Sequence, residues 1–128
     1  MSDRTAVNAT AAPEAVGPYS HAILAGGLLF CSGQIPLDRD TGELAGETPA
    51  EQASRCLRNL SAVCAEAGTS LARAVRLTIY TTELGEFAAI NEAYAEFFGE
   101  DAPPARAAVG VTELPKGAMV EIDAIVAI

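Results

Sequence analysis

The positions of apolar and polar residues along the chain predict a mixture of strands and helices. Residues 20–25 and 28–32 form two apolar runs separated by Gly26-Gly27. Because a Gly-Gly pair supplies the positive φ angles of a two-residue turn, these runs predict a β-hairpin. The other predicted strands cover residues 75–81, 105–111 and 119–127.

The strand at residues 75–81 shows the clearest alternation. Its apolar members Val75, Leu77 and Ile79 are separated by Arg76 and Thr78. A period of two places alternate side chains on one face, so Val75, Leu77 and Ile79 are predicted to face the core. The last predicted strand alternates less cleanly.

Two segments carry the signals of helices. Thr48 is an N-cap residue, and Glu51 three positions later completes a capping box. This helix is predicted to run to Ala67, and a second helix is predicted over residues 87–98. A glycine follows each segment, as is common where a helix ends.

The resulting order, β-β-α-β-α-β-β, predicts one α+β domain over residues 1–128, with a mixed sheet and both helices on one face. Residues 1–15 are small and polar, and they predict an arm or a short edge strand. Residues 28–31 and the last strand carry apolar side chains on both faces. Burying the second face is worth roughly 25 cal/mol per Å² of apolar area. We therefore expect a homo-oligomer.

The chain has 128 residues, of which 50% are hydrophobic, and a formal charge of −9. A field of that sign repels phosphate backbones and anionic lipid surfaces, which argues against nucleic-acid and membrane partners. Three cysteines without metal-ligand spacing predict reduced, mostly buried thiols. No apolar leader or membrane-length apolar run is present, so a cytoplasmic protein is expected.

Candidate chemistry centres on few residues. His21 is the one histidine, and neither Ser20 nor Ser32 lies in a nucleophile-elbow motif that would favour a catalytic triad. A structural histidine at a turn or interface is therefore favoured over a catalytic one. The sequence also lacks metal-binding and nucleotide-binding motifs, so we expect chemistry without a metal or cofactor.

Arg106 enters an apolar strand, where a cation requires a counter-charge. It is predicted either to pair structurally with an acidic residue such as Glu121 or to anchor a substrate carboxylate, and the residues alone leave both open. If residues 105–111 and 119–127 pair as a hairpin, Arg106 and Glu121 lie on opposite faces. They would then meet only between subunits, unless that register is wrong.

Several short motifs follow one another from Gly17 to the C-terminus: GPYSH at residues 17–21, CSGQIPL at 31–37, TGE at 41–43, FAAINEAY at 87–94, FF at 97–98, PAR at 104–106, LPKG at 114–117 and VEI at 120–122. Each motif is weak alone, but their order and spacing together are specific. Taken together, they resemble the RidA/YjgF family.

The resemblance implies a chorismate-mutase-like α+β fold and a homotrimer with active sites between subunits. It also implies hydrolytic deamination of 2-imino and 2-enamino acids, such as 2-aminoacrylate, 2-iminopropanoate and 2-iminobutanoate, to 2-keto acids and ammonia. Arg106 would bind the substrate carboxylate, with Asn91 a further candidate for binding. Tyr19, Ser32 and Glu121 would line the site, and we expect Glu121 to act as the general base.

Two departures from the family pattern limit what is carried over. His21 stands where the family often has Gln, and Ala108 stands where many members have a cysteine, so thiol-dependent behaviour is not expected. A non-enzymatic chaperone or ligand-binding oligomer is one alternative function. A translation-inhibiting ribonuclease is another, and the negative charge argues against it.

Overall fold

The computed structural model describes residues 3–128, so residues 1 and 2 of the predicted arm lie outside it. Short 3₁₀ turns at 71–73, 84–86 and 115–117 join some of the main elements. The main elements are β1 (Thr5–Val7), β2 (Ala22–Ala25), β3 (Leu28–Gln34), α1 (Pro49–Glu66), β4 (Ala74–Thr81), α2 (Phe87–Phe98), β5 (Ala105–Gly110) and β6 (Val120–Ala127).

The strands form one six-stranded mixed sheet in the order β1-β2-β3-β6-β4-β5. Strands β2 and β3 make the predicted hairpin, and β1 is the edge strand that the N-terminal segment allowed. The β4–β5 pair is parallel, with α2 as the crossover, and the other pairs are antiparallel. The two helices and the mixed sheet confirm the predicted α+β class.

The last two strands do not pair as a hairpin, so the alternative that this register is wrong is confirmed. β4 lies between β5 and β6, pairing in parallel with β5 and antiparallel with β6. A parallel neighbour reached through a helical crossover satisfies one edge of β4, and β6 then returns along the other.

Both predicted helices are confirmed. The Thr48 side chain accepts a hydrogen bond from the Glu51 amide at 3.2 Å, and the Glu51 carboxylate accepts one from the Thr48 amide at 3.3 Å. These bonds satisfy amide groups that the first turn of α1 leaves free. Helix α2 ends at Gly99, whose φ of 59° is in the left-handed region that glycine favours. No helix within residues 3–128 is long and apolar enough to cross a membrane.

The core lies between the helices and one face of the sheet. Strand β6 shows the division, because Val120, Ile122, Ala124 and Val126 are buried while the alternate residues are half-buried. The opposite face, here called the open face, carries exposed Phe30 and Val109. An apolar face without a helix is the feature that predicted self-association.

Val75 does not face the core as predicted. It is 47% exposed, whereas Leu77 and Ile79 are fully buried. The register shifts between Ala74 and Arg76, so β4 has one extra residue opposite β6 at this point. Such a bulge leaves its extra residue unpaired, and Val75 is turned outward.

Candidate active site

Arg106 is the second residue of β5 and pairs with Leu77 of β4. Directly paired residues share a face, so its side chain extends toward α2. Its Nη1 donates a hydrogen bond to Asn91 Oδ1 at 2.7 Å. The guanidinium therefore has a neutral partner, which orients it and leaves its charge intact.

Two aromatic rings of α2 also hold the guanidinium. Its Cζ lies 5.2 Å from the centre of the Phe87 ring and 4.9 Å from that of Tyr94. Both distances suit a cation–π interaction. These rings were not predicted as site residues, although Phe87, Asn91 and Tyr94 follow the four- and three-residue spacing of one helix face.

A cavity of about 450 Å³ opens beside Arg106. No carboxylate among residues 3–128 lies within ion-pairing distance of its guanidinium, so the cation is available to an acid from outside. The lining is mostly apolar, with a few polar groups: Asn91, Tyr94, Ala95, Phe98, Gly99, Asp101, Pro103, Pro104 and Arg106. That composition is typical of a small-molecule site.

The Tyr94 hydroxyl is buried without a hydrogen-bond partner in the described part of the chain. Burial raises the pKa of Tyr94, and the neighbouring Arg106 charge opposes that shift. Because its pKa is raised, the Tyr94 hydroxyl keeps its proton and the ring beside the guanidinium is neutral.

Tyr19, Ser32 and Glu121 line a second cavity, of about 310 Å³. The remaining lining residues are Val16, Gly33, Ile35 and Pro115. Three of the five predicted site residues are thus brought together here, and the other two, Arg106 and Asn91, meet in the first cavity. We call these the Glu121 cluster and the Arg106 cluster.

The hydroxyl groups of the Glu121 cluster are already partly engaged. Tyr19 Oη accepts a hydrogen bond from the Val16 amide at 3.3 Å, so its own proton is free to be donated. Ser32 Oγ donates to the Ser20 carbonyl at 2.7 Å, which leaves its lone pairs to accept. The two residues therefore offer a ligand opposite hydrogen-bonding roles.

Glu121 pairs with Tyr80 on the open face. Burial raises the pKa of Glu121, and the negative charge of Asp123 on the same face raises it further. Asp123 in turn accepts a hydrogen bond from the Tyr80 hydroxyl at 3.0 Å. A carboxyl that binds its proton more tightly than usual is suited to proton transfer.

The two clusters lie on opposite faces of the sheet. Arg106 pairs with Leu77 and Glu121 with Tyr80, and these β4 residues are three positions apart. An odd separation along a strand means opposite faces. The two residues therefore lie on opposite faces, although the hairpin register from which this was expected is wrong. The alternative of a structural ion pair between Arg106 and an acidic residue is also wrong for residues 3–128.

His21 is structural, as favoured. It is buried, and its Nδ1 accepts a hydrogen bond from the Ala9 amide at 2.9 Å. Its Nε2 lies 2.8 Å from the Pro13 carbonyl, and a carbonyl only accepts, so Nε2 carries the proton. The ring thus fixes residues 9–13 against the start of β2. The three cysteines are also buried and free, as predicted.

This arrangement defines an α+β protein with a cavity beside an arginine that has no carboxylate partner among residues 3–128. The sequence model of the endoribonuclease L-PSP family matches residues 9–128. The chain therefore belongs to this family, the RidA/YjgF family that its motifs resemble.

Individual relatives are similar over most of their length. A RutC family protein of Sinorhizobium fredii is 51% identical over 117 residues, covering 91% of this chain and 92% of the relative. The 2-iminobutanoate/2-iminopropanoate deaminase of Homo sapiens is 36% identical over 122 residues, covering 95% and 88%. The crystal structure of Escherichia coli TdcF with bound serine superimposes with a TM-score of 0.91 at 37% identity, covering 97% of this chain and 98% of TdcF.

Proposed function

We propose that this protein hydrolyses reactive 2-imino and 2-enamino acids to 2-keto acids and ammonia. The observation that carries the proposal is the Arg106 guanidinium, oriented by Asn91 and two rings and free of any carboxylate among residues 3–128. Such a group suits a small carboxylate. The name of the human relative and the serine bound to TdcF support the same class of ligand.

The complete site lies between copies of the chain in a homotrimer. The opposite-face placement of the two clusters supports this assembly, because Arg106 and Glu121 cannot share a ligand within one chain. The open face supports it too, since Phe30 is 43% and Val109 is 42% exposed. Burial of such side chains against a neighbouring copy would stabilise the contact.

Arg106 of one copy binds the substrate carboxylate through two parallel N–H groups and fixes the adjacent imine carbon. Placing that carbon against a held water converts a slow encounter into an oriented reaction. A 2-imino acid hydrolyses unaided in water, so orientation and modest electrostatic help supply the acceleration. The reaction consumes only water and requires no cofactor.

Glu121 of the neighbouring copy accepts a proton as the water oxygen bonds to the imine carbon. Glu121 passes this proton to the substrate nitrogen, which leaves a tetrahedral carbon that carries a hydroxyl group and an amino group. A second proton then moves from the hydroxyl group to the nitrogen, the carbon–nitrogen bond breaks, and ammonia leaves as the hydroxyl oxygen becomes the keto oxygen. Tyr19 donates a hydrogen bond to the reacting centre, and Ser32 accepts one. Burial raises the pKa of Glu121, which makes its carboxylate a stronger base for this exchange of protons.

The activity is tested by generating 2-aminoacrylate in place with a dehydratase and following keto-acid release. Wild-type protein should accelerate release and reduce trapping by semicarbazide. Arg106→Ala should abolish the acceleration, while Arg58→Ala, at an exposed position of α1, should not. Absence of acceleration across several amino-acid precursors would overturn the proposal.

The shared site is tested by complementation. Arg106→Ala and Glu121→Ala are each expected to be inactive, but co-expressed chains should regain activity. One copy then supplies Arg106 and its neighbour supplies Glu121. Sedimentation should show a trimer. Two inactive variants that stay inactive in verified mixed oligomers would contradict a site between subunits.

Ribonuclease activity is the second candidate, because the matching family carries that description. The charge of −9 opposes it, since RNA binding rests largely on basic surfaces. A nuclease assay with purified protein and chelated metal separates the two. A purely binding role, the third candidate, predicts that a keto acid stabilises the protein through Arg106 without turnover.

A further inference from the structure

Gly33 occupies a bulge in β3 beside the Glu121 cluster. Cys31 pairs with Ala124 and Gln34 with Ile122, so Ser32 and Gly33 together oppose Asp123. Cys31 and Gln34 are both buried on the helix side. The extra residue of a bulge re-aims the strand locally, and Ser32 and Gly33 are both turned toward the open face.

The Glu121 carboxyl lies in the space where a side chain at position 33 would begin. A Cβ built on Gly33 would stand 2.9 Å from Glu121 Cδ and 3.2 Å from Cγ, and it would overlap Oε2. The backbone at Gly33 does not have the positive φ that favours glycine. The conformation would therefore accept alanine, and the Glu121 carboxyl would not.

We propose that Gly33 is a positioning residue for Glu121. Because residue 33 has no side chain, the Glu121 carboxyl has room to lie against β3. There it faces the same cavity as Tyr19 and Ser32. The assignment deepens the proposed deaminase function and depends on it for its kinetic consequence, but the positioning itself is measurable without turnover.

The contact with Gly33 explains why the Glu121 carboxyl is half-buried although it lies on the open face, away from the helices. Glu121 crosses from β6 onto β3 and covers the Gly33 backbone. That packing excludes water from one side of the carboxyl, in agreement with its raised pKa. With a methyl group at position 33, the carboxyl would be displaced into solvent.

The direct test is the Gly33→Ala variant, with the Glu121 carboxyl carbon followed by ¹³C NMR during a pH titration. We expect the pKa of Glu121 to fall toward its ordinary value of 4.5. Gly85→Ala is the matched control, because its φ is not positive and an added Cβ meets nothing within 4 Å. An unchanged Glu121 titration in Gly33→Ala would overturn the proposal.

A double-mutant cycle isolates the contact. In a Glu121→Ala background the methyl group at position 33 has no carboxyl to displace, so Gly33→Ala should then have little effect on the melting temperature. If Gly33→Ala alone does not fold, recovery of folding in the double variant supports the proposal. A double variant that also fails to fold would show that the bulge itself requires glycine, which contradicts it.

Kinetics provide the functional readout. Removing a general base costs about 10²–10⁴-fold, so displacing it should lower kcat by about tenfold or more. KM should change less, because Arg106 still binds the carboxylate. Absence of any wild-type deaminase activity would refute the proposed function, while the NMR result would still decide the role of Gly33. Unchanged kcat in an active enzyme would refute the role itself.

Discussion

Asn91 accepts a 2.7 Å hydrogen bond from Arg106 and leaves the positive charge of its partner unopposed. A carboxylate at the same position would make an equally short bond and would also neutralise the cation. An amide at position 91 thus orients the Arg106 guanidinium without neutralising its charge, which suits binding of an external carboxylate.

Asn91→Asp should therefore impair binding more than Asn91→Ala. The new carboxylate would pair with Arg106 and compete with the ligand, raising KM by about tenfold, equivalent to about 1.4 kcal/mol. Removing the amide in Asn91→Ala loses only orientation and should raise KM less. Calorimetry with a 2-keto acid measures the same difference without turnover. Equal affinities for the two variants would contradict this interpretation.

Glu121→Gln should change the pH dependence of stability. Because burial raises the pKa of Glu121, the folded protein holds this proton more tightly than the unfolded chain does. The stabilisation is fully present below the ordinary pKa of 4.5 and is lost as pH rises through the raised value. As pH rises through this window, the free energy of unfolding of Glu121→Gln should therefore increase relative to that of wild type.

Urea unfolding at a series of pH values and fixed protein concentration measures this difference. Glu92→Gln, at an exposed position of α2, is the matched control. A gap between wild type and Glu121→Gln that does not vary with pH would argue against a perturbed Glu121.

Tyr94→Phe should stabilise the protein. The substitution removes a buried hydroxyl that has no partner among residues 3–128, and such a group costs about 1–3 kcal/mol. Tyr80→Phe is the control of opposite sign, because it removes the hydrogen bond to Asp123. Both effects are measured as free energies of unfolding. A loss of stability in Tyr94→Phe would show that the hydroxyl has a partner, such as a water molecule.

His21→Ala should destabilise the protein by about 2 kcal/mol or more, because it leaves the Ala9 amide and the Pro13 carbonyl without partners. His21→Gln should lose less, since an amide side chain offers both a donor and an acceptor. Thermal unfolding compares the variants. If alanine and glutamine cost the same, hydrogen bonding is not the main contribution of His21.

The local signals in the sequence predicted the helices well. The capping box at Thr48 and the glycine after α2 are contacts between residues a few positions apart. All of the residues that form them can therefore be recognised in a short stretch of sequence. Val75 shows the limit of such reasoning, since the bulge that exposes it depends on how β4 aligns with β6. Periodicity records which face a residue prefers, but it does not record strand order.

The same limit applies to the site. Family motifs identified Arg106, Asn91, Tyr19, Ser32 and Glu121 as candidates, and the structure gathers them into two clusters. The insertion of β4 between β5 and β6 was not predictable from adjacent turns. Phe87 and Tyr94 lie in the predicted helix over residues 87–98 but had no predicted role, because a ring that packs in a core and a ring that supports a cation leave the same pattern in the sequence.

The division of the sheet into two faces also constrains the symmetry of any assembly that completes the site. In a two-fold dimer each copy presents one and the same patch to the other. The Arg106 and Glu121 clusters occupy opposite sides of the sheet, so one such patch does not contain both. A contact that joins the two clusters is therefore head to tail. Such contacts form a closed assembly as a ring of three or more copies and not as a two-fold dimer.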